Sequence, residues 1–236
     1  MKFNLDTFIS GTNVDLCIPD ENFANKSNWY TFLNKKKINN YLELFGNFPN
    51  TKKNQIEFLR SSQESSKIVL VALSKDKNSF YGIVSLSAIN FMLRRCAISF
   101  LFDSTSYRSN ILIPLESVSL LTEHAIQDLG VDKVEGFQHV DLHTMTEICQ
   151  LIGYKIESIQ EDHFVKGRRV EDTVHFACIY KDIQTIKKKR NGLIWDSNEA
   201  MFKRIKKLRK IESFYETLRN LNKNNKKEIY KKIFDI

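Results

Sequence analysis

The sequence predicts an α/β fold in which a mixed, mostly antiparallel central sheet is flanked by helices and followed by a helical C-terminal extension. Short apolar runs that suit strands alternate with amphipathic segments of helical spacing, and Lys and Arg become frequent after residue 182. The 236 residues, 42% of them hydrophobic, suffice for one substantial core plus an appendage. We therefore assign residues 1–182 to one domain and residues 183–236 to a basic extension.

Two helical segments come first. Residues 28–46, "NWYTFLNKKKINNYLELFG", place apolar side chains at helical intervals and end at a glycine. Residues 47–62 restart behind Pro49, where Asn50 or Thr51 suits an amino-terminal cap.

Three strands follow in quick succession, at residues 67–74, 80–90 and 96–103. The connection "KDKNS" between the first two is short and polar, which predicts a β-hairpin. The three strands are expected to be antiparallel neighbours.

The second half of the domain alternates between helices and strands. A long helix runs to Leu129 and closes at Gly130, a strand follows at 132–140, and the next helix closes at Gly153. A last antiparallel pair surrounds the turn "KGRR". This order predicts a helical crossover on either side of a central strand.

The extension carries the positive charge of the chain. Residues 183–236 hold 16 Lys/Arg against 6 Asp/Glu, whereas residues 1–182 hold 20 against 22. We interpret the excess as a solvated helix face and expect no nucleic-acid partner, although basic patches also suit nucleic acid or anionic membranes.

A single helix is predicted in the extension. Asp196 and Glu199 suit a capping box. One apolar stripe follows, formed by Met201, Ile205, Leu208, Ile211, Tyr215 and Leu218. The expected cover is the main domain or a second subunit, which makes a homodimer through the C-terminal helix one option and a membrane surface another.

The cysteines and the hydropathy bear on the compartment. The four cysteines lie far apart with no CxxC pair, a spacing typical of a reducing environment. The longest apolar run, "IVLVAL", falls well short of the roughly 20 residues that cross a bilayer. We expect a cytoplasmic protein.

The segment "YRSNILIPLESVSLLTEHAIQDLG", residues 107–130, is a loop that leads directly into a helix closed by glycine. With the preceding strands and the "LIGY" that ends the next helix, it resembles the GNAT acetyltransferase superfamily over about residues 14–182. The likeness extends to acetyltransferases of amino-sugar nucleotides and of ribosomal-protein N-termini. That superfamily has Arg/Gln, two residues, Gly, one residue and Gly/Ala at this loop, where Arg108, Ile111 and Ile113 stand here.

The resemblance implies acetyl-CoA or another acyl-CoA as co-substrate. Its pantetheine arm would lie along Phe100, Leu101 and Phe102, and its pyrophosphate on the backbone amides of Arg108, Ser109, Asn110, Ile111, Leu112 and Ile113. Such amides survive replacement of glycine by isoleucine. Two interpretations stay open: the isoleucines point into the sheet and the amides face the cofactor, or the site is lost and the fold serves as a binding module.

Attack of an amine on a thioester needs a base and a proton donor. "HVDLH" brings His139, Asp141 and His143 together at a strand end, and we favour His139 as base and His143 as the second choice. The alternatives are a metal site, which we do not expect, and Asp141 as a helix cap between two surface histidines. Relatives often carry a tyrosine that acts as the general acid at the position of Cys149. Cys149 is therefore either a proton donor or a core residue.

The acceptor is the remaining question. The resemblance implies that the first helices form the acceptor wall, where Trp29, Tyr41 and Phe48 would stack on a sugar or base or else belong to the core. We predict an N-acyltransferase that acetylates a primary amine, an amino sugar on a nucleotide carrier in surface-glycan biosynthesis. The alternatives are a protein N-terminal or lysine acetyltransferase and a non-catalytic GNAT-like module with a basic tail.

Overall fold

A mixed sheet forms the centre of the protein. The computed structural model describes residues 2–27, 29–42, 47–62, 66–102, 110–210 and 213–234. Within these ranges the strands are β1 (Thr7–Ser10), β2 (Val14–Cys17), β3 (Ile68–Ser74), β4 (Phe80–Asn90), β5 (Arg95–Phe102), β6 (Lys133–His139), β7 (Lys155–Lys166) and β8 (Arg169–Ile179). They form one sheet in the order β1-β2-β3-β4-β5-β6-β8-β7.

Helices lie before, between and after the strands. They are α1 (Glu21–Lys26), α2 (Trp29–Leu33), α3 (Lys36–Asn39), α4 (Lys52–Arg60), α5 (Leu112–Gln127), α6 (His143–Cys149), α7 (Tyr180–Lys189), α8 (Asn198–Leu208) and α9 (Phe214–Phe234). Short 3-10 turns, Val140–Leu142 and Gln150–Ile152, flank α6. The predicted element order is confirmed from β3 to β8.

The pairing of the strands confirms a mixed, mostly antiparallel sheet. Strands β5 and β6 are parallel neighbours, and the other adjacent pairs in the described sheet are antiparallel. The predicted hairpin of β3 and β4 is present. Helix α5 makes the crossover from β5 to β6, as α6 connects β6 to β7.

The two faces of the sheet carry separate cores. The larger core joins the sheet to α5, α6 and α8, and the smaller joins it to α1, α2 and α4. Representative residues are Leu115, Ile148 and Met201 in the larger core and Phe23, Trp29 and Leu59 in the smaller. Burial of these side chains is the main source of stability for each layer.

The amino-terminal segments differ from the prediction. Strands β1 and β2 were not predicted, and residues 28–46 contain α2 and α3 in place of one helix, with residues 43–46 outside the described part. Thr51 caps α4 as expected, because its side chain accepts from the amide of Asn54 at 3.2 Å. Gly130 and Gly153 both have positive φ at helix ends, as predicted.

The extension is anchored in the main core. Met201 and Ile205 of α8 are buried there together with Ile183 and Ile194. Residue 182 is therefore a boundary of charge and not of packing. The same chain covers this part of the apolar stripe.

Two details of the extension correct the prediction. Its single helix is two helices, α8 and α9, with Ile211 outside the described residues. The cap of α8 is Ser197, whose hydroxyl accepts from the amide of Ala200 at 3.1 Å, and not Asp196. Asp196 instead forms an ion pair with Arg204. No helix in the described ranges is long and apolar enough to cross a membrane.

Candidate active site

The parallel strands β5 and β6 separate along their length. Residues 95–97 pair with residues 133–135, and no further pairs join the two strands, which are both fully described. Beyond that point β5 remains paired with β4 as far as Phe102, and β6 remains paired with β8 as far as His139. The sheet therefore opens between the carboxyl ends of two adjacent parallel strands, a common position for ligands in α/β proteins.

The carboxyl half of β5 and the start of α5 form one border of the opening, which we call the cofactor side. Phe100, Leu101 and Phe102 are all half-buried. Phe100 and Phe102 pack against the larger core. Their strand ends directly before the loop that leads into α5, so the residues predicted to hold an acyl-CoA arm do border the opening.

The helix start at the cofactor side is built without glycine. Ile111 packs against the larger core, and Leu112 and Ile113 are buried. These side chains therefore point inward, as the first of the two interpretations requires. Tyr107, Arg108 and Ser109 lie outside the described residues.

Asn110 occupies the amides of the first helical turn. Its side-chain oxygen accepts from the amide of Leu112 at 3.0 Å, and its backbone oxygen accepts from Ile113 at 3.3 Å. Asn110 thus satisfies two amides at the start of α5, whose cap position, Ile111, has no side-chain cap hydrogen bond.

A buried carboxylate fixes the next turn of α5. Glu116 accepts from the amides of Thr12 and Asn13 at 2.5 and 2.8 Å, and from the Asn13 side chain at 2.7 Å. Asn13 in turn exchanges hydrogen bonds of 2.8 and 2.7 Å with Asn198 of α8. The turn between β1 and β2 and the extension therefore both hold the start of α5 in place.

A polar network formed by His139, Arg169, Glu171 and Tyr41 lies at the end of β6, and we call it the acceptor side. The Nε2–H of His139 donates to Glu171, and Arg169 donates to the same carboxylate oxygen at 2.5 Å. The Tyr41 ring lies 5.0 Å from the His139 ring, edge to face. The Arg169 hydrogen bond, and then that of His139, lower the pKa of Glu171 to about 2, so Glu171 is ionised at neutral pH.

Both nitrogens of His139 have partners. Nδ1 accepts from the amide of Asp141 at 3.1 Å, which leaves the proton on Nε2 for the bond to Glu171. Only 1% of the side chain is exposed. His139 is therefore neither a surface residue nor a directly accessible base, which corrects the alternative of two surface histidines.

A lysine ties the segment after α3, which was predicted to belong to an acceptor wall, to this network. Lys166 donates to Asn39 through both its backbone and side-chain oxygens, and to the backbone oxygen of Leu42 at 2.8 Å. Burial lowers the pKa of Lys166. The segment after α3, which carries Tyr41, is thereby held against the hairpin of β7 and β8.

His143 has a different environment. Its Nδ1–H donates to the backbone oxygen of Val140 at 2.8 Å, so the lone pair of the neutral ring lies on Nε2. The ring stacks on Tyr215 of α9 at 4.5 Å. The alternation predicted for "HVDLH" is absent, because the strand ends at His139, and Leu142 rather than Asp141 is the cap of α6.

Cys149 lies in the larger core and is fully buried. Burial raises the pKa of its thiol to about 12. This surrounding matches the core alternative, since a buried thiol of that pKa is a poor proton donor for a leaving thiolate.

The three aromatic candidates are dispersed. Trp29 is buried in the smaller core, 6.1 Å from the Phe58 ring. Tyr41 belongs to the acceptor side. Phe48 is 76% exposed and lies on the surface.

The sequence did not lead to a prediction of Arg169, Glu171 or Lys166 as site residues. The turn "KGRR" and the strand after it carry all three, and the available signal was the Arg-x-Glu spacing, which places both side chains on one face of β8. In the described ranges, no group of three or more His, Cys, Asp or Glu could hold a metal ion.

Several solved structures with the same architecture are acetyltransferases. The microcin C7 self-immunity acetyltransferase MccE, in complex with acetyl-CoA and AMP, superposes with a TM-score of 0.60 at 16% identity, over 72% of this chain and 93% of that one. RimL, a ribosomal L7/L12 alpha-N-protein acetyltransferase in complex with coenzyme A, gives 0.65 at 14% identity, over 75% and 99%. The fold is that of the GNAT acetyltransferases.

A third GNAT structure widens the comparison. A spermidine N-acetyltransferase SpeG chimera from Vibrio cholerae and hSSAT gives a TM-score of 0.61 at 14% identity, over 73% of this chain and 99% of that one. No family model and no curated protein matches the sequence. The predicted resemblance is confirmed for the GNAT fold.

Proposed function

We propose that the protein is an N-acetyltransferase that uses acetyl-CoA and acts on a primary amine carried by a nucleotide, in particular an amino sugar. The observation that carries the proposal is the opening between β5 and β6 in a GNAT fold, with the start of α5 on one side and an ionised carboxylate on the other. The experiment is an acetyl-transfer assay of purified protein with a panel of acceptors.

Acetyl-CoA supplies the thioester and would lie at the cofactor side. The exposed backbone of the carboxyl half of β5 suits the pantetheine arm, and the amides at residues 110–113 suit the pyrophosphate. The inward position of Ile111 and Ile113 leaves backbone, not branched side chains, toward the anion. The amide of Leu112 would exchange its hydrogen bond to the Asn110 side chain for one to a phosphate oxygen.

The acceptor amine would lie against Glu171. That carboxylate is ionised and 35% exposed, so it can accept a hydrogen bond from an ammonium or amine. Arg169 and His139 hold it in place. Tyr41 lies beside them with an aromatic ring able to pack on a sugar or base.

A nucleotide on the acceptor is supported by one comparison. The MccE structure, which shares the fold, is a complex with AMP as well as acetyl-CoA. An amino-sugar nucleotide combines such a group with a primary amine. Of the three aromatic candidates, only Tyr41 keeps the proposed role of stacking on the acceptor.

We assign His143 as the base that removes the proton from the amine. Its lone pair on Nε2 can accept a proton directly or through water, whereas His139 has both nitrogens engaged. His139 is instead a positioning residue that fixes Glu171. Cys149 has no role in this scheme because it is buried in the core.

The acceptor panel distinguishes the alternatives. We expect transfer to amino-sugar nucleotides, with the same sugar lacking its nucleotide as the matched comparison. Faster transfer to a peptide amino terminus would favour the RimL-like activity and overturn the nucleotide proposal. Acetyl-CoA binding without transfer to any amine in the panel would favour a binding module.

A further inference from the structure

The hairpin turn between β4 and β5 presents three consecutive apolar side chains to solvent. Phe91, Met92 and Leu93 are 58%, 95% and 59% exposed. Neighbouring sheet residues such as Ile89 and Cys96 are buried, so this apolar tip, residues 91–93, projects beyond the core. Exposed apolar clusters of this kind mark interaction surfaces more often than isolated exposed residues do.

The apolar tip is held rigidly. The side chain of Asn90 accepts from the amide of Leu93 at 2.8 Å. Arg94 donates to the backbone oxygen of Gly130 at 3.1 Å and pairs with Asp132 at 3.2 Å. The amide of Asp132 donates back to the Arg94 carbonyl at 2.6 Å. The apolar side chains therefore stay exposed in a defined conformation.

Basic and amphipathic residues surround the apolar tip. Arg94 and Arg95 follow it directly and are exposed. The amide of Tyr180 donates to the carbonyl of Asp132 at 2.8 Å, which places the half-exposed Tyr180 and the exposed Lys181 at the same end of the sheet. Asp132 adds an acidic group there, and it is paired with Arg94.

We propose that the apolar tip inserts into the interfacial region of an anionic lipid bilayer, with the surrounding basic residues on the lipid phosphates. A convex tip of apolar side chains needs no preformed pocket in a lipid surface, and Arg, Lys and Tyr are the residues that suit the headgroup layer. A second copy of this chain would bring the same positive charges together, which disfavours self-association through this tip.

This binding leaves the candidate active site free. Strand β5 extends about 26 Å, eight residues at roughly 3.3 Å each, from the apolar tip to its carboxyl end, and the opening lies beside its last five residues. The opening therefore lies at the end of the sheet that faces away from the bilayer. Acetyl-CoA binding and lipid binding can consequently fail or succeed independently.

The experiment is sedimentation with vesicles of phosphatidylcholine containing about 30 mol% phosphatidylserine, beside vesicles of phosphatidylcholine alone. We expect binding to the anionic vesicles. The triple variant Phe91→Ser, Met92→Ser, Leu93→Ser should weaken it at least about 10-fold. Leu193→Ser, which removes another exposed apolar side chain, is the matched control and should bind as the unmodified protein does.

A second variant reports on insertion itself. In Met92→Trp the tryptophan emission should shift to the blue with anionic vesicles and be quenched by brominated lipid. Since Met92 is almost fully exposed, this variant keeps the fold, and thermal melting verifies it for all variants.

Three results would overturn the proposal. If the triple variant binds anionic vesicles as strongly as the unmodified protein, the binding belongs to the basic extension and not to the apolar tip. Absence of vesicle binding would exclude a lipid partner. Self-association in sedimentation velocity that the triple variant abolishes, without vesicle binding, would make the apolar tip an interface between protein copies.

Discussion

The cofactor side and the acceptor side border the same opening but are built from different groups. On the cofactor side, the unpaired edge of β5 and the start of α5 border the opening, while the side chains of Ile111, Leu112 and Ile113 are turned inward. On the acceptor side, polar and charged side chains from β6 and β8 contact one another directly. The first border depends on backbone position, and the second depends on side-chain identity.

This difference explains why a glycine motif can be absent without loss of the helix start. A backbone donor remains whatever the side chain, provided that the side chain is directed elsewhere. Substitution on the acceptor side has no such tolerance, because the polar and charged side chains there are hydrogen-bonded to one another. Side-chain substitutions should therefore be tolerated on the cofactor side and should impair function on the acceptor side.

The largest expected effect is on proton transfer. His143→Asn removes the proposed base and should lower kcat for the acceptor about 100-fold. His139→Gln should mainly raise the acceptor KM, because it disturbs the position of Glu171. Separate measurement of kcat and KM for both variants distinguishes the roles, and a loss of kcat in His139→Gln alone would reverse the assignment.

The next effect concerns the ion pair of the acceptor side. Arg169→Met removes the donor to Glu171 and the one to the backbone oxygen of Asn40, and should lower kcat/KM for the acceptor about 30-fold, while the Kd for acetyl-CoA changes less than about twofold. Arg168→Met is the matched control, since it removes the same charge from the adjacent exposed residue. Equal losses in both variants would contradict a specific role for Arg169.

A third prediction concerns the point where the strands separate. A Cβ on Gly136 would lie 2.7 Å from the Phe176 ring and 3.1 Å from the carbonyl oxygen of Ile98. Gly136→Ala should therefore destabilise the protein by about 1–3 kcal/mol through overpacking. Urea unfolding measures this, and an unchanged midpoint would show that the neighbours move at little cost.

The smallest effect is a pH dependence of stability. The pKa of Glu171 is lowered to about 2 in the folded protein, so its contribution is present above the unfolded pKa and is lost as pH falls from about 5 to about 2. The difference in Tm between the unmodified protein and Glu171→Gln should accordingly shrink over this range. A difference that stays constant in thermal melts would place the stabilisation elsewhere.

The sequence allowed the order of elements from β3 to β8 to be predicted, because long apolar runs and glycine caps are strong local signals. Strands β1 and β2 escaped prediction since each has four residues, and all four residues of β2 are buried, including Asp15, so no alternation is visible. Their positions follow from the pairing of β2 with β3 and of β1 with β2.

The acceptor side could not be predicted in the same way. Its network requires the register that pairs His139 with Thr173, which then places Glu171 beside the histidine ring. A shift of one residue would turn Glu171 to the other face. Local patterns do not fix such a register, whereas the border at β5 and α5 follows directly from chain order.

Whether the glycine-free helix start holds acetyl-CoA is the central question, and Asn110 allows a direct test by calorimetry. Asn110→Asp keeps the cap on Leu112 and adds a negative charge, so it should weaken acetyl-CoA binding at least about 10-fold with an unchanged or higher Tm. Asn110→Ser, a neutral cap, should stay within about threefold of the unmodified protein. Equal affinity of Asn110→Asp and the unmodified protein, or no binding to either, would contradict the account.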